Sequence, residues 1–358
     1  MKHHPIRIAR IAVPLTAIAV LAAACSSGST PSATTASSST TSGASGTLNG
    51  SGSSFQLSYQ QQAIQTYRSI NPKLTINYGG GGSGKGQTDL ASGVVNYAGS
   101  DLPIPAASQS KFSGTVLYFP VVIGPITVSY NLSGVKNLKL DGTTTAKIFS
   151  GAITTWNDPA IKALNPSETL PSTPITIARR ADSSGTTDNF SQFLAKSAGT
   201  AWTLGTGSTI NFPATSRGGN GNGGVAQIVA STPGSIGYVD YADAKAASLT
   251  FASIKNQDGN FIAPSTASAT AAASNATINP DLTFSAIWAP GAQSYPITYQ
   301  SWVLVYKTQS SASTASTLKT WVGYLVGAGQ KLLPGLNYAP LPPSLQSKAE
   351  AQLSQIGS

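Results

Sequence analysis

Arg179-Arg180-Ala181-Asp182-Ser183-Ser184-Gly185-Thr186-Thr187-Asp188 follows an apolar run at Ile175 and Ile177 and leads into a helical stripe at Phe190, Phe193 and Leu194. That order reads as a strand, a tight hydroxyl-rich turn and a helix start. Such a turn gathers backbone N–H groups, hydroxyls and a guanidinium around one point, which is what an oxyanion requires. Taken alone, the same residues could form a helix cap with a surface ion pair.

Working outward, two more turns have the same character. Gly50-Ser51-Gly52-Ser53-Ser54-Phe55 precedes Phe55, Tyr59, Ala63 and Tyr67 at helical spacing. Gly79-Gly80-Gly81-Gly82-Ser83-Gly84-Lys85-Gly86 follows the alternating strand Leu74, Ile76, Tyr78 and precedes a stripe at Leu90, Ala91 and Val94. Each passage exposes unpaired N–H groups at the positive end of a helix. The second turn lacks the G-x-x-x-x-G-K-[ST] order, because Gly86 and Gln87 follow Lys85, so it is not a nucleotide P-loop. Further on, Val116 to Tyr130 is long and apolar, broken by Gly124-Pro125; Val225 to Val229 reads as a helix and Ile236 to Val239 as a strand. Strands alternating with helices predict an α/β fold with mostly parallel sheets. The Ala/Ser/Thr-rich stretch from Ser265 to Thr277 reads as a surface loop, helical in part if at all.

The chain opens with Lys2, Arg7 and Arg10, an apolar run from Ile11 to Leu21, and small residues before Cys25, the only cysteine. The run is too short to span a bilayer. Residues 1–24 therefore read as a lipoprotein signal, with Cys25 as the lipidated residue and Leu21 one position further from it than is usual. Residues 25–46 are almost wholly Ser, Thr, Ala and Gly and are expected to be a flexible tether. The signal holds three of the 21 basic residues and none of the 12 acidic ones, so the formal charge of +9 falls to +6 without it. No basic stripe with interleaved aromatics occurs, which argues against nucleic acid. Both histidines, His3 and His4, fall in the signal. Ser-His-Asp and Cys-His catalysis and the usual zinc ligand sets are thereby excluded, and no cofactor is expected. Ser133 and Lys136 form a lone S-x-x-K without its K-T-G partner, so an enzyme is not expected.

The segments GSGSSFQ (50–56), NYGGGGSGKG (77–86), VNYAGSDLPI (95–104), FSGAITTWNDPAI (149–161), RRADSSGTTDNF (179–190) and GVAQIVASTPGSIGYVDYADA (224–244) together resemble the phosphate-binding protein of bacterial ABC-type phosphate importers. The resemblance implies a two-lobed periplasmic-binding-protein fold, type II-like, closing over one dehydrated phosphate. Its contacts fall on Ser54, the Phe55 N–H, Ser83, Asp101, Arg180, Ser184, Gly185 and Thr186, with Asp182 holding the arginine. Gln56 stands where the family commonly has proline, and the second loop carries extra glycines.

These residue types suit phosphate. An anion taken out of water must regain its hydrogen bonds, and Arg180 is expected to offer it a bidentate fork. Asp101 would repel an anion unless it accepts a proton from it; phosphate carries such a proton and sulfate at neutral pH does not. Unmatched buried groups give strong discrimination. The segment from Phe149 to Ile161 reads as a helix end, a packed indole at Trp156 and a turn.

The roughly 310 residues from Thr47 exceed one typical core, so two lobes are expected. Crossings near Gly124–Tyr130 and Tyr295–Gln300 would assign 47–127 plus 299–358 to lobe I and 128–298 to lobe II. The expected function is capture of inorganic phosphate outside the cytoplasmic membrane and delivery to the transmembrane subunits of an ABC permease. The expected state is a monomer held to the membrane by its N-terminal lipid. The alternatives are another tetrahedral oxyanion (sulfate or molybdate), a phosphatase, or a surface adhesin on the same scaffold.

Overall fold

The computed structural model describes residues 44–358. The signal segment, Cys25 and nearly all of the expected tether lie outside them. No helix among the described residues is long and apolar enough to cross a membrane.

The chain enters on β1 (Gly46–Gly52), whose burial deepens toward its C-terminal end, and turns into α1 (Leu57–Ile70). Tyr59, Ala63 and Tyr67 form the buried stripe of α1, as their spacing predicts. β2 (Leu74–Gly79), α2 (Ser83–Ala91) and β3 (Tyr97–Ser100) repeat the pattern. The turn before α2 needs its glycines: Gly82, at the N-cap, has φ 90°, which a side chain rarely tolerates. β4 (Val116–Tyr130) is one unbroken strand, although Gly124-Pro125 reads as a break. The pair instead marks a change of partner. Up to Pro125 the strand pairs with β12, and from Ile126 it pairs with β8.

The middle of the chain adds β5 (Lys139–Leu140), α3 (Gly142–Phe149), α4 (Pro159–Leu164), β6 (Thr176–Arg180), α5 (Gly185–Ala198), β7 (Arg217–Gly219), α6 (Gly221–Ser231), β8 (Ser235–Asp240) and α7 (Tyr241–Ala246). The Phe149–Ile161 segment is structural, as read. Asp158 caps α4 ahead of Pro159, and the fully buried Trp156 donates from its indole N–H to the Gly234 carbonyl at 2.9 Å. After β9 (Thr250–Phe251), β10 (Ser253–Lys255) and β11 (Phe261–Ile262) come α8 (Thr266–Ser274), β12 (Thr298–Tyr306), α9 (Ala312–Val326) and α10 (Pro343–Gln352).

The main sheet runs β2-β1-β3-β12-β4-β8-β6-β7, with β9 joined to β4; β11-β10-β5 form a small separate sheet. β1, β2 and β3 are mutually parallel through β1, and β6 is parallel to both β7 and β8. Antiparallel β12 and β4 join the two parallel groups. The arrangement is an α/β fold with a mixed, helix-flanked sheet. The C-terminal ends of β1, β3 and β6 lead directly into Ser53, Asp101 and Ala181, and in open α/β sheets that edge is where ligands sit.

The Ser265–Thr277 stretch is helical in part, but it is not the surface loop expected. Residues 266–274 are a helix, and Ala269 and Ala273 sit in a core with Leu90, Ile123, Trp302 and Leu304. The absence of large side chains hides an element that alanine favours and that small residues let lie close to the sheet. Ser265 caps it reciprocally with Ser268. Phe284 and Ala286 join the same core, so this return segment packs on β12 and the first part of β4.

Candidate functional site

β6 delivers Arg180 at its last position, and the turn behind it folds the chain onto the N-terminus of α5. Ser184 caps that helix, its Oγ accepting from the Thr187 N–H at 3.1 Å. The Arg180 side chain is 1% exposed. Its Nε donates to Asp182 Oδ1 at 2.7 Å, its Nη2 pairs with Asp182 Oδ2, and its Nη1 donates to Thr186 Oγ1 at 3.3 Å. The two-pronged contact expected for an anion is therefore made to Asp182, leaving the Nη1 edge toward Thr186. Burial opposes the guanidinium's charge, but the bond to Asp182 more than offsets it and Arg180 stays above its usual pKa. Burial likewise opposes ionisation of Asp182, but Arg180 and the Gly221 N–H hold it below the usual carboxylate value.

From the other side, β1 ends in Gly52 and the turn Ser53-Ser54-Phe55 opens α1. β3 ends at Ser100 and presents Asp101, which is 1% exposed. Ser53 Oγ donates to Asp101 Oδ1 at 2.5 Å, Ser301 Oγ donates to the same oxygen, and Ser83 Oγ donates to Oδ2 at 3.2 Å. Burial raises the Asp101 pKa to about 6, against the lowering effect of Ser301, Ser53, the Arg180 charge and Ser83.

Three contacts join the sides. Asn189 Nδ2 donates to the Asp101 carbonyl at 2.7 Å, the Gly84 N–H donates to the Ser183 carbonyl at 3.1 Å, and Asn222 donates to Ser54 Oγ from its backbone N–H at 3.2 Å and its amide at 3.3 Å. A Cβ on Gly185 would stand 2.5 Å from Ser83 Oγ and 2.6 Å from Asp101 Cβ, so only glycine lets the α5 N-terminus approach the carboxylate this closely. A recess of about 520 Å³, lined by Ser54, Leu57, Asp182, Gly221, Asn222 and Asp243, adjoins the site.

All of the expected positions are thus assembled. Ser54, Phe55, Ser83, Asp101, Arg180, Ser184, Gly185 and Thr186 are all buried. Asn222 links Ser54 to Thr186 and so to Arg180, Gly185 abuts Ser83 and Asp101, and Asp182 lies behind the arginine. The Phe55 N–H donates to Ser53 Oγ at 3.1 Å, and Lys85 turns away to pair with Asp89 at 2.5 Å. Five participants have no role in the sequence reading: Ser53, Gln56, Asn189, Asn222 and Ser301. Asn222 carried a usable signal, because Asn220-Gly221-Asn222-Gly223 is a fourth Gly-rich passage from strand to helix, with Asn222 in the first turn of α6. Ser301 carried none, sitting in an apolar strand. Among the described residues no cluster of three or more His, Cys, Asp or Glu could hold a metal ion. Chemically, the arrangement offers one guanidinium, several hydroxyls and helix N–H groups as donors, with one carboxylate as acceptor.

Residues 36–328 match the profile of the PBP superfamily domain. The chain is 34% identical to phosphate-binding protein PstS 2 of Mycobacterium tuberculosis, covering 96% of each. It is 35% identical to phosphate-binding protein PstS of Pasteurella multocida, covering 86% of this chain and 89% of that one. Among solved structures, a high-affinity periplasmic phosphate-binding protein bound with phosphate aligns with a TM-score of 0.71 at 22% identity, over 86% of this chain and 94% of the other. At that identity the likeness speaks for the fold.

Proposed function

The chain belongs to the phosphate-binding proteins of the PBP superfamily, and on that premise we propose that it captures inorganic phosphate outside the cytoplasmic membrane and passes it to an ABC permease. The observation that carries this reading is the pairing of a buried Arg180 with a buried Asp101 across the α5 N-terminus. The donors alone would suit any oxyanion. The single carboxylate suits one that brings its own proton, which favours phosphate over sulfate or molybdate.

Ser54, the Phe55 N–H, Ser83, Asp101, Arg180, Ser184, Gly185 and Thr186 are proposed to hold the anion, with Asp182 fixing Arg180. Residues 47–127 plus 299–358 are proposed as lobe I and 128–298 as lobe II, with crossings near Gly124–Tyr130, where β4 exchanges β12 for β8, and near Tyr295–Gln300. α8, from the intervening stretch, packs on β12 and the first part of β4. Hinge closure at those crossings would enclose the ligand. A non-enzymatic role is supported by the absence of histidine beyond the signal segment. Lipidation at Cys25 and a monomeric state complete the proposal.

Calorimetric titration of ligand-stripped protein with phosphate, arsenate and sulfate tests the reading. Tight phosphate binding with sulfate rejected is expected. Equal affinity for sulfate would overturn it, and release of phosphate from a chromogenic ester would restore the phosphatase alternative.

A further inference from the structure

Gln56, the residue that departs from the family's usual proline, lies one turn behind the site and is fully buried. Its Nε2 donates to Ser301 Oγ at 2.6 Å and to the Trp302 carbonyl at 2.7 Å, while its Oε1 accepts from Gln60 Nε2 at 3.0 Å. The carbonyl of Trp302 can only accept, so the amide nitrogen must face that way. Ser301 Oγ therefore accepts a hydrogen bond from the Gln56 amide and has its own O–H left to donate. Its acceptors are the Ser100 carbonyl at 3.2 Å and, closer, the Asp101 carboxylate. The charged, nearer acceptor takes the bond.

Ser53 is constrained in the same sense. Its Oγ accepts from the Phe55 N–H at 3.1 Å and the Gln56 N–H at 3.4 Å, so its proton goes to Asp101 Oδ1. Ser83 Oγ accepts from the Asp101 N–H at 3.0 Å and donates to Oδ2. Two hydroxyls thus saturate Oδ1. Oδ2 keeps acceptor capacity on the side of Gly185 and the α5 N-terminus. The pairing register between β12 and β4 shifts between Ser301 and Trp302, and such irregularities beside sites re-aim side chains.

We propose that Gln56 and Ser301, together with Ser53, form a relay of oriented donors that holds Asp101 as a proton acceptor, and that this relay makes the site reject tetrahedral anions lacking a proton. Gln56 and Ser301 are positioning residues acting through Asp101. The proposal rests on the phosphate reading above and adds to it which side chains set the acceptor.

Other titratable groups face Asp101 from every side. Arg180 approaches from β6 with Asp182 behind it, Asp188 lies on α5, and Tyr78, Tyr299 and Tyr338 approach from β2, β12 and the segment before α10. The tyrosines are all raised above their usual value by burial and stay neutral. Burial raises the Asp101 pKa to about 6 and raises Asp188 above its usual carboxylate value as well, so Asp101→Asn assigns the transition. Above about pH 6 Asp101 is an acceptor and sulfate is refused. Below it the protonated carboxyl is a donor and sulfate is tolerated.

The test is the pH profile of sulfate binding by the full chain, for wild type, Ser301→Ala and Gln56→Met. Sulfate has no proton to titrate in this range but phosphate does, so the midpoint is read from direct calorimetric sulfate binding at each pH. Asp101→Asn, which should show no midpoint, is the control. Loss of one donor to a carboxylate should move that midpoint upward by about one pH unit, and Ser301→Thr should restore it. Thermal melts establish that the variants fold. Phosphate binding with an unmoved midpoint in both folded variants overturns the relay alone. Failure of wild type to bind phosphate at any pH overturns the site reading and the relay with it.

Discussion

Arg180, Asp182, Ser184, Gly185 and Thr186 come from one strand–turn–helix in which Arg180 and Thr186 lie six positions apart. The acceptor side gathers Ser53, Ser83, Asp101 and Ser301 from four segments, and Gln56 meets Ser301 across 245 positions. A cationic site can be local, because a helix start supplies N–H donors and a neighbouring side chain supplies charge. An ionised carboxylate buried beside an anion cannot be. It needs several donors converging from different directions to remain charged, and only separate strands and loops supply those directions.

The largest expected effect breaks the local side. Arg180→Ala removes the guanidinium proposed to face the anion and leaves Asp182 without its charged partner, keeping the Gly221 N–H. Phosphate affinity should fall by about thirtyfold or more, following the roughly 2–5 kcal/mol lost when one partner of a buried charge pair is truncated. Near-wild-type affinity by calorimetry would place the site elsewhere.

Asp101→Asn attacks the assembled side and should weaken phosphate about tenfold, the scale of one charge-assisted hydrogen bond. Sulfate should become a competitor at neutral pH, since the amide can donate. The same loss of discrimination is expected in wild type as the pH falls through about 6, and Asp101→Asn should abolish that pH dependence.

Asn222→Ala removes the amide that bridges Ser54 and Thr186. About a fivefold loss of phosphate affinity is expected, the worth of an ordinary buried hydrogen bond, without a change in sulfate rejection. The smallest effect separates orientation from charge. Asp182→Asn frees positive charge for the anion while loosening the fork that holds Arg180, and these oppose, so affinity should change by no more than about threefold. A hundredfold loss there would mean that placement of the guanidinium outweighs its charge.

The same division between local and assembled runs through the fold. Alternation at Leu74, Ile76 and Tyr78, the stripe Tyr59, Ala63, Tyr67 and the caps at Asp158 and Ser184 are each set by a few neighbouring residues, and the structure holds them where the pattern puts them. α8 is the counterexample, because its burial depends on a sheet surface the local pattern does not reveal. Gly124-Pro125 likewise reads as a break until β4 is seen passing from β12 to β8.

The sequence by itself determined an α/β chain, three Gly/Ser turns opening helices, a guanidinium and a lone acid among them, and no histidine beyond its first residues. Those are properties of short windows and of composition. The tertiary structure alone decided that Asn222 bridges the two sides and that Gln56 and Ser301 stand behind Asp101. Hydrogen-bond direction is the reason. Which way a hydroxyl points depends on what donates to it, and for Ser301 that donor is a glutamine brought beside it only by folding.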